Sequence, residues 1–162
     1  MNVEMKRPGE GQVPPRVPER DDALPSLPNE LEIDALEENL PEVQAFVEER
    51  LEAAGCPMKT EMQVQIAVEE IFINIASYAY SPGRGKTFVD ISLSEEPKAV
   101  TITFRDCGVP FNPITGCKPE LSGSAEERRI GGLGIFMAIK LMDEVSYEYR
   151  EGWNILTLKK SL

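Results

Sequence analysis

The sequence predicts an α+β fold, a two-layer sandwich in which a mixed, mostly antiparallel sheet carries helices on one face. Three observations lead there. Apolar positions recur at helical spacing through residues 39–54 and 60–78. Runs rich in β-branched residues follow at 87–93 and 99–105, and two further strands read at 144–150 and 154–160. The order groups like with like: one strand, two helices, two strands, a long loop, a helix, two strands. That grouping argues for an α+β sandwich of about five strands and three helices.

Taken in order, residues 1–29 hold six prolines and two glycines among sparse apolar residues. Such a composition cannot bury a core, so this stretch reads as a flexible tail and residues 30–162 as one domain. Residues 31–35 read as a short strand. In the first helix Asn39 can cap, Pro41 suits the first turn, and Val43, Phe46, Val47, Leu51 and Ala54 line one face, with Gly55 stopping it. The second helix ends at Ser81-Pro82-Gly83. Residues 106–130 are rich in glycine and proline and read as a loop, of the length usual for lids and binding loops. Gly131-Gly132-Leu133-Gly134 opens a third helix, and Glu151-Gly152 closes a tight hairpin between the last two strands.

Composition removes several function classes. Seventeen Lys and Arg against 28 Asp and Glu give a formal charge of -11, which repels nucleic acid and anionic membranes alike. No run approaches the ~18 apolar residues of a membrane span, and the N-terminus lacks the apolar core of a signal peptide, so a cytoplasmic protein is expected. Three cysteines make no disulfide framework. With no histidine in the chain, Ser-His-Asp and Cys-His catalysis are out and a zinc site is not expected. Chemistry here falls to carboxylates, hydroxyls, amides, backbone groups and a hard metal ion.

Three polar features stand out against this background. Glu70 and Asn74 lie four residues apart inside an almost wholly apolar helix, and so share one face. They read either as a hydrogen-bonded structural pair or as chemistry. In the second case an amide oxygen can complete an octahedral Mg²⁺, and a carboxylate one turn earlier can take a proton from a hydroxyl attacking a γ-phosphate. Asp106 leaves a strand into Cys107-Gly108-Val109-Pro110-Phe111-Asn112-Pro113. It is either a turn signal or a fixed carboxylate for an exocyclic amine, with Gly108 letting a flat ring approach the backbone. The glycines at 131, 132 and 134 suit either a hinge or a phosphate cradle at a helix N-terminus. Neither a Walker loop nor a dinucleotide fingerprint fits them.

Read together and in this order, Glu70-x-x-x-Asn74, the segment from Asp106 to Pro113, and Gly131-Gly132-Leu133-Gly134 resemble the N, G1 and G2 boxes of the GHKL ATPase superfamily. Within it the chain is most similar to the anti-sigma-factor serine/threonine kinases of RsbW type. The resemblance covers residues 31–162. It implies a Bergerat-type, histidine-kinase-like ATP-binding fold and the cofactors ATP and Mg²⁺. Asn74 would then ligate the metal, Asp106 would receive the adenine amino group, and Gly108 and Phe111 would shape the adenine pocket. Gly131, Gly132, Leu133 and Gly134 would wrap the triphosphate, with Lys118 a further phosphate contact and Asn154 near the adenine. Glu70 would be the general base toward a partner serine. Tyr78 replaces the histidine common after the N box. Implied too are an anti-anti-sigma (STAS) partner, a sigma factor and a homodimer. The alternative is an ATP-dependent binding switch that sequesters its partner without phosphorylating it.

Overall fold

The structure, a computed structural model, describes residues 30–116 and 133–162. The tail expected at 1–29, together with Lys118, Gly131 and Gly132, lies outside the described residues. Five strands form one sheet in the order β1-β2-β3-β5-β4, with β1 Glu30–Asp34, β2 Lys86–Glu95, β3 Lys98–Asp106, β4 Glu144–Arg150 and β5 Trp153–Ser161. Every pairing is antiparallel, so the expectation of a mixed sheet is corrected. The reason is topological. The crossover from β3 to β4 returns the chain parallel to β3, but β5 then inserts between them and pairs antiparallel with both.

The helices are α1 Leu40–Ala53, α2 Met58–Asn74, a single turn α3 Pro113–Gly116, and α4 Leu133–Leu141. α3 corrects the reading of its region as unbroken loop. Asn112 Oδ1 accepts the Ile114 N–H at 2.9 Å, and Pro113 supplies a first-turn φ, so the Asn-Pro pair starts a helix locally. At α1 the expected side-chain cap is not formed. A 3₁₀ turn, Glu37–Asn39, already bends the chain, and Asn39 Nδ2 donates instead to the Asp34 carbonyl at 3.0 Å. α1 ends at Gly55, whose φ of +68° is the left-handed conformation that glycine adopts without a Cβ clash. The final hairpin turns on Glu151 and Gly152, with φ of 52° and 86°, the paired positive values of a tight turn matched to strand twist.

Side-chain alternation gives the sheet two unlike faces. Ile33, Val89, Ile91, Val100, Ile102, Phe104, Leu156 and Leu158 point to the helices and meet Val43, Val47, Leu51, Val64, Val68, Ile71 and Phe72 in one core. Burying each of these large side chains stabilises the domain by roughly 1.5–3 kcal/mol. The opposite face carries Phe88, Trp153 and Ile155 around Arg105, which ion-pairs with Glu30 and with Asp90 at 3.2 Å. α2 is the central helix, packed between α1 and α4. Its exposed side carries Glu69 and Ile66, while Glu70 and Asn74 are half-buried. No helix among the described residues is long and apolar enough to cross a membrane.

Candidate functional site

The site is built where α2 stops being α-helical. The sequence pattern predicts helix to Tyr78, but regular α geometry ends at Asn74 and the chain continues as a π-helical turn, Ile75–Ala79. A π turn widens the helix and releases backbone groups from the i to i−4 ladder, and such turns gather at functional sites. At its end the Ala79 carbonyl, free like every helix-terminal carbonyl, accepts the Val109 N–H at 2.8 Å. A Cβ on Gly108 would overlap that same carbonyl and the Ala79 side chain. The neighbour that demands glycine at 108 is therefore the π turn. Tyr80 adds a second tie: its hydroxyl donates to the Lys86 carbonyl and accepts the Cys107 N–H at 2.8 Å.

Asp106 is the last residue of β3, on the helix-facing side and 5% exposed. Its Oδ1 accepts the Gly108 N–H at 2.9 Å and the Asn154 amide at 3.0 Å. Burial raises its pKa above the ordinary carboxylate value, and those two donors pull it back down. Asp106 Oδ2 receives no hydrogen bond among the described residues, which leaves one oxygen as an acceptor. Asn154, opposite Asp106 in the β3–β5 register, is the organiser. Its Nδ2 also reaches the Gly108 and Val109 carbonyls at 3.3 and 3.1 Å, and its Oδ1 accepts the Phe111 N–H at 3.2 Å and the Tyr147 hydroxyl at 2.5 Å. One buried amide thus fixes the loop from 106 to 111 onto the sheet. Phe111 itself is 41% exposed beside it.

The other half of the site lies between α2 and α4. A Cβ on Gly134 would overlap the Glu70 carboxylate, so Glu70 rests against the first turn of α4 in the space that the glycine leaves. Leu133, one residue earlier, is exposed. Neither Glu70 nor Asn74 has a side-chain hydrogen bond among the described residues. The structure thus brings Asp106, Gly108, Phe111 and Asn154 together, and seats Glu70 against Gly134. Asn74 stands at the last α-helical residue before the π turn that anchors Gly108. Tyr80, Tyr147 and the Ala79 carbonyl were missed in the sequence. Only Tyr80, at the break after the second helix, carried a usable signal, as an aromatic in an otherwise small and polar turn.

Comparison with known proteins follows this geometry. The family model described as histidine kinase-like ATPase domain matches residues 33–160. The serine/threonine-protein kinase BtrW of Bordetella bronchiseptica is 30% identical over 93 residues, 57% of this chain and 65% of that protein. The serine-protein kinase RsbW of Listeria innocua is 31% identical over 111 residues, 65% of this chain and 69% of its own length. RsbW of Listeria monocytogenes serotype 4a aligns with the same identity and extent. The chain thus matches just under two thirds of BtrW and slightly more of the RsbW proteins.

Proposed function

The chain belongs to the histidine kinase-like ATPase domain family, and from that membership we propose that it is an ATP-dependent anti-sigma-factor-type regulator. In this reading it acts as a serine/threonine protein kinase on an anti-anti-sigma (STAS) partner. The observation that carries the reading is the Asp106 clamp. A buried carboxylate has one oxygen saturated by Gly108 and Asn154 and the other left to accept, on a loop locked to the end of α2. Such a group suits the exocyclic amine of adenine, which a neutral or solvated acceptor would hold less selectively. The names of the kinases BtrW and RsbW support the same direction.

Each residue then has a task. Asp106 receives the adenine amino group, with Gly108 and Phe111 bounding the ring and Asn154 holding Asp106 in place. Leu133 and Gly134 approach the triphosphate at the start of α4, and Gly131, Gly132 and Lys118, outside the described residues, would be further phosphate contacts. The Asn74 amide oxygen is a hard donor that fits Mg²⁺, which when bound neutralises developing phosphate charge. Glu70 takes the proton from the partner hydroxyl as its oxygen bonds to the γ-phosphorus; the bond to the β,γ-bridging oxygen breaks and ADP leaves. Regulation of a sigma factor and assembly as a homodimer, in the cytoplasm, complete the proposal.

Transfer of labelled γ-phosphate from ATP to the serine of a STAS partner tests it. Wild type is expected to transfer, while Glu70→Gln keeps nucleotide and partner binding but transfers at least ~100-fold more slowly, the scale of a lost general base. An unchanged rate in Glu70→Gln removes Glu70 as the base. Stable ATP-dependent partner binding without any transfer by wild type leaves the sequestering switch as the function.

A further inference from the structure

The central helix has two apolar sides, and the core uses one of them. Val64, Val68 and Ile71 turn one side of α2 inward. On the other side Met58, Met62 and Ile66 follow one another at four-residue spacing and stay 78%, 59% and 46% exposed. At 1.5 Å per residue they form a row about 12 Å long. Along this row runs the seam with α1, where Glu48 and Glu52 of α1 and Glu61 of α2 bring carboxylate oxygens within 4.8 Å of one another. None of the three has an ion-pair or hydrogen-bond partner among the described residues. The neighbouring Arg50 is committed elsewhere: it lies over the Phe46 ring, donates to the Phe46 carbonyl and pairs with Glu49. α2 itself carries one cation, Lys59, against Glu61, Glu69 and Glu70. One turn on from Glu61, Gln65 Nε2 donates to the Gln44 carbonyl of α1 at 2.9 Å, while its buried Oε1 has no donor.

We propose that this face, the row Met58, Met62, Ile66 with the carboxylates of Glu48, Glu52 and Glu61 beside it, docks a basic amphipathic helix of a partner protein. Charge selects the occupant. Three close carboxylates without a counter-charge repel one another, and cations from a partner relieve that repulsion. A second copy of the chain would bring three more carboxylates to the same place, and a chain of net charge -11 repels nucleic acid and anionic lipid. Shape selects a helix. Two helices packed side by side leave a groove that a third fills ridge into groove, its apolar anchors at helical spacing. The partner's apolar stripe then covers the row, and its Lys and Arg side chains lie over the seam. Methionine suits such a surface, because its unbranched thioether adapts to whatever packs on it. Met58 lies twelve residues before Glu70, about 18 Å along α2. The docking face is therefore separate from the proposed nucleotide site and does not depend on that reading.

The probe is a synthetic helical peptide of leucine and lysine with all leucines on one face, and its control is the same composition in scrambled order. Titrated into the full chain with methyl-labelled methionine, the amphipathic peptide is expected to shift the Met58 and Met62 methyl signals saturably. The signal of Met142, buried in the core, should stay in place. The double variant Met62→Asp, Ile66→Asp should bind at least ~10-fold more weakly, the scale of lost apolar anchors. That variant is also more acidic, so attraction to net charge alone would tighten its binding instead. The triple variant Glu48→Gln, Glu52→Gln, Glu61→Gln should weaken binding and flatten its dependence on salt. All five positions lie on the helix surface, and unchanged circular dichroism and melting temperature show that each variant folds. Binding of the scrambled peptide as tight as the amphipathic one, or of the Asp variant as tight as wild type, overturns the proposal. Met58 and Met62 shifts that grow with protein concentration in the absence of peptide assign the face to a second copy of the chain and also overturn it.

Discussion

Two glycines, Gly108 and Gly134, stand at the two ends of the candidate site and are needed for opposite kinds of neighbour. At Gly108 the obstructing atoms are the backbone of the π turn. At Gly134 they are the tip of the Glu70 side chain, which can swing away. The end at Asp106 is therefore held by parts that cannot yield: a backbone contact, the Val109–Ala79 hydrogen bond and the multiply bonded Asn154 amide. The end at Glu70 is held by a movable carboxylate in a gap. Under the proposed function, the same residue type thus marks a rigid recognition end and an adjustable end, where a reacting group would change partners during a cycle.

Substitutions can break that contrast. Gly108→Ala is expected to cost the most, about 2–4 kcal/mol, because the loop must leave the π turn and lose its hydrogen bond. Denaturant unfolding measures this, and the ATP-induced rise in melting temperature should vanish with it. Wild-type stability with an intact thermal shift would show that the backbone contact is soft after all. Asn154→Ala comes next, at about 1–3 kcal/mol for the polar groups it leaves unpaired. It also removes a donor that holds the Asp106 pKa down, so titration of Asp106 should move up relative to wild type.

Gly134→Ala should change stability by about 1 kcal/mol or less, since alanine suits a helix and only a flexible carboxylate must move. Its signature lies in chemistry: phosphotransfer should drop toward the Glu70→Gln level with ATP binding retained. Equal losses of binding and transfer would mean that Gly134 serves the nucleotide directly and Glu70 only incidentally.

A separate test, of pH dependence, concerns the buried ions behind the sheet. Burial, with the Arg105 ion pair opposing it and Glu30 adding to it, raises Asp90 from 3.8 to about 6. A raised folded-state pKa means that the folded protein binds the extra proton. The stabilisation from that proton is complete below pH 3.8 and is lost as pH rises through about 6. Across that window, wild type should lose stability relative to Asp90→Asn, which has no proton to release. Parallel stability curves for the two proteins would place the titration elsewhere.

Local chemistry made some of this legible in the sequence. Gly55 and the Glu151-Gly152 turn were readable because positive φ selects glycine and a few others, and the strands because β-branched runs have few other uses. The π turn was not, since apolar spacing across 75–79 is as compatible with one more α turn as with a wider one. Insertion of β5 between β3 and β4 was not readable either, because pairing partners 48 to 62 residues apart leave no local trace. For the site, Glu70, Asn74 and Asp106 could be singled out as polar residues where apolar or turn residues were expected. Their supports could not. Tyr147 looks like an ordinary strand aromatic until the register pairs it with Leu156 and so sets it diagonally across from Asn154.

That inserted strand has a consequence for biosynthesis. β5 is the last strand to leave the ribosome among the described residues, yet it occupies an interior place in the sheet and carries Asn154. A nascent chain without it has β3 unpaired along one side and Asp106 without its Asn154 hydrogen bond, so the loop from 106 to 111 is not yet fixed. The long sequence separation of the β3–β5 pairing also makes it a slow, late event in folding. Under the proposed function, ATP binding therefore requires that residue 154 has left the ribosome and the sheet has closed, and incomplete chains should fail to compete for the same nucleotide or the same partner.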